Sequence, residues 1–172
     1  MVSNLWGRSP RFLWTLVVLG MVLLDQLTKA YFSTTIPFGA GLEVTSWFNL
    51  VHARNTGAAF SFLADAGGWQ RPFLILISLL VLMPIAFVCL MKRTDPIERW
   101  IGAAVVAGGS GNLIDRIQTG AVVDFLDLHW RGLHWPAFNL ADVLVVGAAV
   151  AWLVLSVRVS SVRKAAIGET RP

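Results

Sequence analysis

Two carboxylates far apart in the chain, Asp124 and Asp142, could together perform acid–base chemistry if the fold brings them side by side. Asp142 lies six residues past Pro136, inside the apolar run 137–157. An ionisable group at membrane depth is costly enough to point to function. Asp124 lies in Val122-Val123-Asp124-Phe125, whose flanks read as a partly buried strand rather than an open loop. Two carboxyls held close cannot both ionise cheaply, so they share a proton, and one can act as base while the other acts as acid. The ionised member would take a proton from an attacking water. Its protonated partner would donate a proton to the group under attack. The spacing leaves open which aspartate plays which role. No metal and no cofactor are required.

Other polar residues sit near the same ends of the apolar runs. Asn112 and Arg116 are four apart on one helix face, which suits them to hold a peptide carbonyl and N–H. The alternative for Arg116 is a plain interfacial anchor. Asp115 points elsewhere and is expected to pair locally. Asn139 and Asp142 are three apart, which fits either a functional acid with its neighbour or a helix cap answered by Asp142. Pro136 suits the first turn of that helix. Asp25 and Lys29, four apart, are expected to form an ion pair that fixes the first helix against its neighbours. Gly108 and Gly111 allow close approach of another backbone. The glycine cluster lacks the Gly-Lys-Ser/Thr ending of a phosphate loop. Asp127 competes with Asp124, and His129 and His134 follow it, but no zinc-ligand spacing is present. Ser110 lacks a matched lysine or histidine for serine chemistry.

The elements that must position these groups follow from composition. The chain has 172 residues, 56% hydrophobic and 14% charged, against roughly 25% charged in soluble domains. Apolar runs at about 12–32, 72–91, 97–117 and 137–157 each approach the roughly 20 helical residues that cross a bilayer core. The fold class expected is all-α transmembrane, four helices in a single membrane domain 1–172, with a small β-rich extracytoplasmic element. The first run is retained rather than cleaved, because Asp25-Gln26-Leu27-Thr28-Lys29 continues it without a small-residue cleavage site.

Charge orients the spans. Arg8, Arg11, Lys92, Arg93, Arg99, Arg158, Arg163, Lys164 and Arg171 lie on the side of the termini, and Lys29, Arg54, Arg71, Arg116 and Arg131 on the other, nine against five. The positive-inside rule makes the termini cytoplasmic. The net charge of +4 therefore reflects topology rather than nucleic-acid binding. Asp25, Glu43, Asp65, Asp115, Asp124, Asp127 and Asp142 fall at or beyond the outer ends, which points to an outer working face. The outer segments, 33–71 and 118–136, carry strand formers at 42–51 and 122–126, a turn at Asn55-Thr56-Gly57, and Trp47, Phe48, Trp69, Trp130 and Trp135 for the interface. Cys89 lies in an apolar run and is expected to be buried filler.

The chain resembles the bacterial lipoprotein signal peptidases, or signal peptidase II. The blocks that carry the likeness are Asp25-Gln26-Leu27-Thr28-Lys29, Asn55-Thr56-Gly57-Ala58-Ala59-Phe60, Gly108 through Arg116, Val122-Val123-Asp124-Phe125 and Phe138-Asn139-Leu140-Ala141-Asp142. The resemblance implies an aspartic endopeptidase of the cytoplasmic membrane that cuts prolipoproteins before a diacylglyceryl cysteine. Asp124 and Asp142 match its catalytic pair. Asn55, Asn112, Arg116 and Asn139 match residues that line or support the substrate pocket, with Gly108 among the supports, and Asp25 and Lys29 match supporting positions. It also implies inhibition by the cyclic peptide globomycin. Partners expected are prolipoproteins and membrane lipids, with no nucleic acid and a monomeric enzyme. Residues 55–60 could close over a substrate arriving laterally from lipid. The rival readings are a small transporter or channel subunit with an acidic relay through Asp25, Lys29 and Asp142, and an assembly factor using the glycine-rich face.

Overall fold

The computed structural model describes residues 10–58, 62–64, 66–92 and 94–168, with only the backbone described for Pro10 and 159–168. Ala59 and Phe60 of the expected closing segment, and Arg8, Asp65, Arg93 and Arg171 of the charge pattern, lie outside the described residues. Four helices are present: α1 (Pro10–Thr35), α2 (Gln70–Met91), α3 (Pro96–Gln118) and α4 (Leu140–Gly168). Four strands accompany them: β1 (Gly41–Thr45), β2 (Phe48–Asn55), β3 (Val122–Trp130) and β4 (Leu133–His134).

Three stretches, Arg11–Thr35, Gln70–Met91 and Leu140–Arg158, are long and apolar enough to cross a membrane. Their outward faces carry Leu19, Leu23, Leu80, Met83, Val146 and Trp152 exposed, an extent of apolar surface that needs lipid or a partner. The third expected span, α3, is not among them. Its sequence is diluted by Gly102, Gly108, Gly109 and Gly111 and ends in polar residues. The reason is positional, because α3 packs against α1, α2 and α4, and small residues let helix backbones approach. A Cβ at Gly108 would strike the Ala141 carbonyl and the Leu144 and Val145 side chains of α4. At Gly102 it would meet Cys89 of α2, and at Gly111 the carboxylate of Asp25 on α1. Trp14, Val18, Cys89, Ala103, Val106 and Ala107 fill the space between α1, α2 and α3, and the Trp14 indole donates to the Arg99 carbonyl at 3.0 Å.

The two long interhelical segments pair with each other. They form one antiparallel sheet in the order β1-β2-β3-β4. Asp124 on β3 stands opposite Ala53 of β2, and Val122 opposite Asn55. Alternation along β3 sends Asp124 and Phe125 to opposite faces, and Phe125 stacks on Phe32 of α1 with ring centroids 4.5 Å apart. Asp127, the rival acid, accepts from Asn49 at 2.8 Å and pairs with His134 at 2.9 Å, so it fastens the far end of the sheet.

The start of α4 differs from expectation. The helix begins at Leu140 rather than 137, and Pro136 lies in an extended link before it. Phe138 bridges to Leu126, donating to its carbonyl at 3.0 Å and accepting from its N–H at 2.9 Å. Backbone pairing of this kind keeps the chain extended up to Asn139, whatever its apolar character.

The crowding at α3 carries a prediction. Gly111→Ala should cost about 1–3 kcal/mol through overpacking against Asp25 and Ala141. Gly147→Ala in α4 meets nothing within 4 Å and should leave stability unchanged or raise it by about 0.5–1 kcal/mol. Thermal unfolding of the two variants in detergent checks the contrast, and equal melting temperatures would contradict the packing.

Candidate active site

Asn139 is the residue that joins the two expected acids. As N-cap of α4 its Oδ1 accepts the Asp142 backbone N–H at 3.0 Å, and its own N–H donates to Asp142 Oδ2 at 3.1 Å, a reciprocal capping box. Its Nδ2 donates to Asp124 Oδ1 at 2.6 Å. The expected cap is therefore present, and the same asparagine links the two aspartates. The amide orientation is set by chemistry, because only its oxygen can accept from the Asp142 backbone and only its NH2 can donate to Asp124.

Asn112 of α3 holds the other oxygen of Asp142, its Nδ2 donating to Oδ1 at 2.8 Å. Its own oxygen accepts from Lys29 Nζ at 2.9 Å. An ammonium only donates, so Lys29 forces Asn112 to turn its NH2 toward Asp142. Arg116, one turn further along α3, donates to the Gly57 carbonyl at 2.7 Å and to the Asn112 carbonyl at 3.3 Å, while its buried Nε has no partner among the described residues. Asn55 makes an Asx turn, its Oδ1 accepting from Gly57 N at 2.9 Å and its Nδ2 donating to the Ala58 carbonyl at 3.1 Å. It thus shapes the loop that Arg116 grips, and its side chain is already engaged there. Gly108 supports by closeness to α4, as described above.

Beneath these groups lies an ion cluster. Lys29 is 3% exposed and lies 2.8 Å from Asp25 Oδ2 and 2.9 Å from Asp115 Oδ2. Asp25, fully buried, also accepts from Ala141 N of α4 at 2.9 Å. Asp115 does not pair locally as expected. Its oxygens accept from Lys29, from Gln26 Nε2 at 2.9 Å, and from Val123 N at 3.3 Å, tying α3 to α1 and β3. Gln26 also donates to the Gly111 carbonyl at 3.2 Å. Sequence reasoning assigned it no role, although its place beside Asp25 in an apolar helix was a signal. Arg71, which in the sequence counts only toward the charge bias, caps α3 by donating to the Arg116 and Ile117 carbonyls at 2.9 and 2.8 Å.

Asp124 is buried, and its pKa is raised to about 7, first by loss of hydration and then by the negative charge of Asp142. The Asn139 hydrogen bond, Lys29 and Arg116 pull the other way. A carboxyl with a proton affinity near neutrality beside a second carboxyl can donate and accept protons in one cycle. Among the described residues no hydrogen bond is directed at Asp124 Oδ2, which leaves that oxygen for a substrate or water.

Two variants should move this titration in opposite directions. Asp142→Asn removes the neighbouring negative charge and should lower the Asp124 pKa from about 7. Asn139→Ala removes a stabilising donor and should raise it, with about 0.5–2 kcal/mol of lost stability from the missing cap. Carboxyl carbon NMR of labelled aspartate reads both, and shifts of the same sign would contradict this geometry.

The family model of signal peptidase (SPase) II matches residues 17–158. The lipoprotein signal peptidase of Aeromonas hydrophila is 46% identical over 145 residues, covering 81% of this chain and 84% of that protein. That of Tolumonas auensis is 44% identical over 153 residues, covering 87% and 92%. A bacterial membrane enzyme solved by the in meso method at 2.3 Å superposes with a TM-score of 0.77 at 29% identity, covering 86% of this chain and 89% of its own. Another, at 1.9 Å, gives 0.72 at 27% identity, with 83% and 90% covered.

Proposed function

Because the chain belongs to the signal peptidase II family, we propose that it is the aspartic endopeptidase that removes signal peptides from diacylglyceryl-modified prolipoproteins, cutting just before the lipidated cysteine. The observation that carries the mechanism is the Asn139 amide holding Asp124 while its backbone holds Asp142. Asp124 enters the cycle protonated and donates to the scissile carbonyl oxygen. Asp142 takes a proton from water as that water attacks the carbonyl carbon. On collapse, Asp124 recovers its proton from the intermediate and Asp142 passes its own to the leaving amine. Arg116, Asn112 and the loop at Asn55 position the peptide, and Asp25 and Lys29 support Asn112 and α4.

The multi-pass chain sits in the bacterial cytoplasmic membrane. All four helices span it, α3 included, since a helix wrapped by three others needs little lipophilicity of its own. The termini are cytoplasmic and the sheet lies at the outer face, where exposed Trp47, Trp69, Trp130 and Trp135 suit the headgroup region. The enzyme works as a monomer, since one chain supplies every residue assigned a role here. Globomycin is expected to inhibit it by occupying the aspartate site. An ion relay would spread polar groups through the depth of the bundle, whereas here Asp25, Lys29, Asn112, Asp115 and Asp142 gather at one end.

The test is cleavage of a purified diacylglyceryl prolipoprotein. Asp124→Asn and Asp142→Asn should each lower turnover by about 10²-fold or more while remaining folded. In the wild type, activity should fall as pH rises through about 7, because Asp124 then loses the proton it must donate. A variant with near-normal turnover removes its residue from the pair.

A further inference from the structure

α2 and α4 both pack on α3 and barely touch each other. Toward the end of the bundle away from the aspartates, the cleft between them holds a cavity of about 530 Å³. Ile85 and Val88 of α2, Ile101 and Val105 of α3, and Trp152 of α4 make its walls apolar. At its end, in the first turn of α3, stands Glu98.

Glu98 is unlike the other described helical acids. Asp25 and Asp115 pair with Lys29, and Asp142 accepts from Asn112 and Asn139. Glu98 is exposed and has no ion pair or hydrogen bond among the described residues. The neighbouring Arg99 turns away, donating to Thr94 Oγ1 at 3.3 Å and the Lys92 carbonyl at 3.4 Å. A favourable helix dipole and its exposure account for an acid in the first turn, and its position also puts a negative charge at the rim of the apolar cavity.

Glu98, Ile101, Val105 and Asn112 share one face of α3, at steps of three, four and seven residues. From Glu98 to Asn112 is fourteen residues, about 21 Å of helix. Asn112 touches Asp142, so the bond to be cut lies at that level. A signal peptide has a cationic n-region, an apolar stretch of about 7–15 residues and then its cleavage site. Laid as a helix in the α2–α4 cleft with its cleavage site at the aspartates, it brings its Lys and Arg residues to Glu98.

We propose that Glu98 is a specificity-determining residue that binds the cationic n-region of the signal peptide, and that the Glu98–Asn112 spacing gauges the apolar helix between. The proposal rests on the signal-peptidase reading above, and its test is therefore a binding measurement that does not need cleavage. Synthetic signal peptides with two n-region lysines, two glutamines or two glutamates are titrated into wild type, Glu98→Gln and Glu98→Lys in uncharged phosphatidylcholine nanodiscs. Wild type should favour the lysine peptide over the glutamine peptide by roughly two- to fivefold, and Glu98→Gln should abolish that preference. Glu98→Lys should invert it toward the glutamate peptide. Comparing peptides within each variant cancels any general loss of fold. The same charge preference in all three proteins overturns the proposal and leaves the cavity to a lipid acyl chain. Intact charge coupling without cleavage would instead count against the catalytic reading alone.

Discussion

The constraint on which the rest depends is the buried ammonium of Lys29. A charge removed from water costs several kcal/mol unless its donors are all answered. Here three protons meet three acceptors, Asp25, Asp115 and Asn112. The two carboxylates then need donors of their own, which come from Gln26, from Ala141 at the start of α4 and from Val123 on β3. Satisfying one cation thus sets the relative positions of three helices and a strand. Through Asn112 it also aims an amide at Asp142, so Lys29 acts as a positioning residue for the aspartates without touching Asp124.

The small residues of α3 belong to the same requirement. Asp25 approaches the backbone at Gly111 so closely that any side chain there would displace its carboxylate. One turn earlier, Gly108 admits the Ala141 carbonyl, which brings the α4 cap within reach of Asn112. Low hydropathy in α3 and a compact polar cluster at its end are therefore two results of one close packing.

Much of this was legible in the sequence, and the failures have identifiable causes. The spans of α1 and α2 followed from apolar length, and the strand around Asp124 from its β-branched and aromatic flanks. The three-residue spacing of Asn139 and Asp142 announced a cap, but the amide's second hydrogen bond depends on β3, which no local pattern encodes. The start of α4 was misplaced because Ala137 and Phe138 extend the apolar run. Their true conformation comes from pairing with Leu126, a non-local partner. The partner of Asp115 is hidden for the same reason, since Lys29 lies on another helix. The turn expected at Asn55 is present as an Asx turn, and it builds the loop whose Gly57 carbonyl Arg116 holds.

The contact between Ala141 and Asp25 spans 116 residues of sequence. During synthesis the first three helices are made while Asp25 still lacks this donor and Asp124 lacks Asn139. Only when the last helix docks do both aspartates acquire their supports. The aspartate cluster is therefore incomplete in a chain that lacks its last helix, and the hydrogen bonds to Asp25 and Asp124 form together on completion of the bundle.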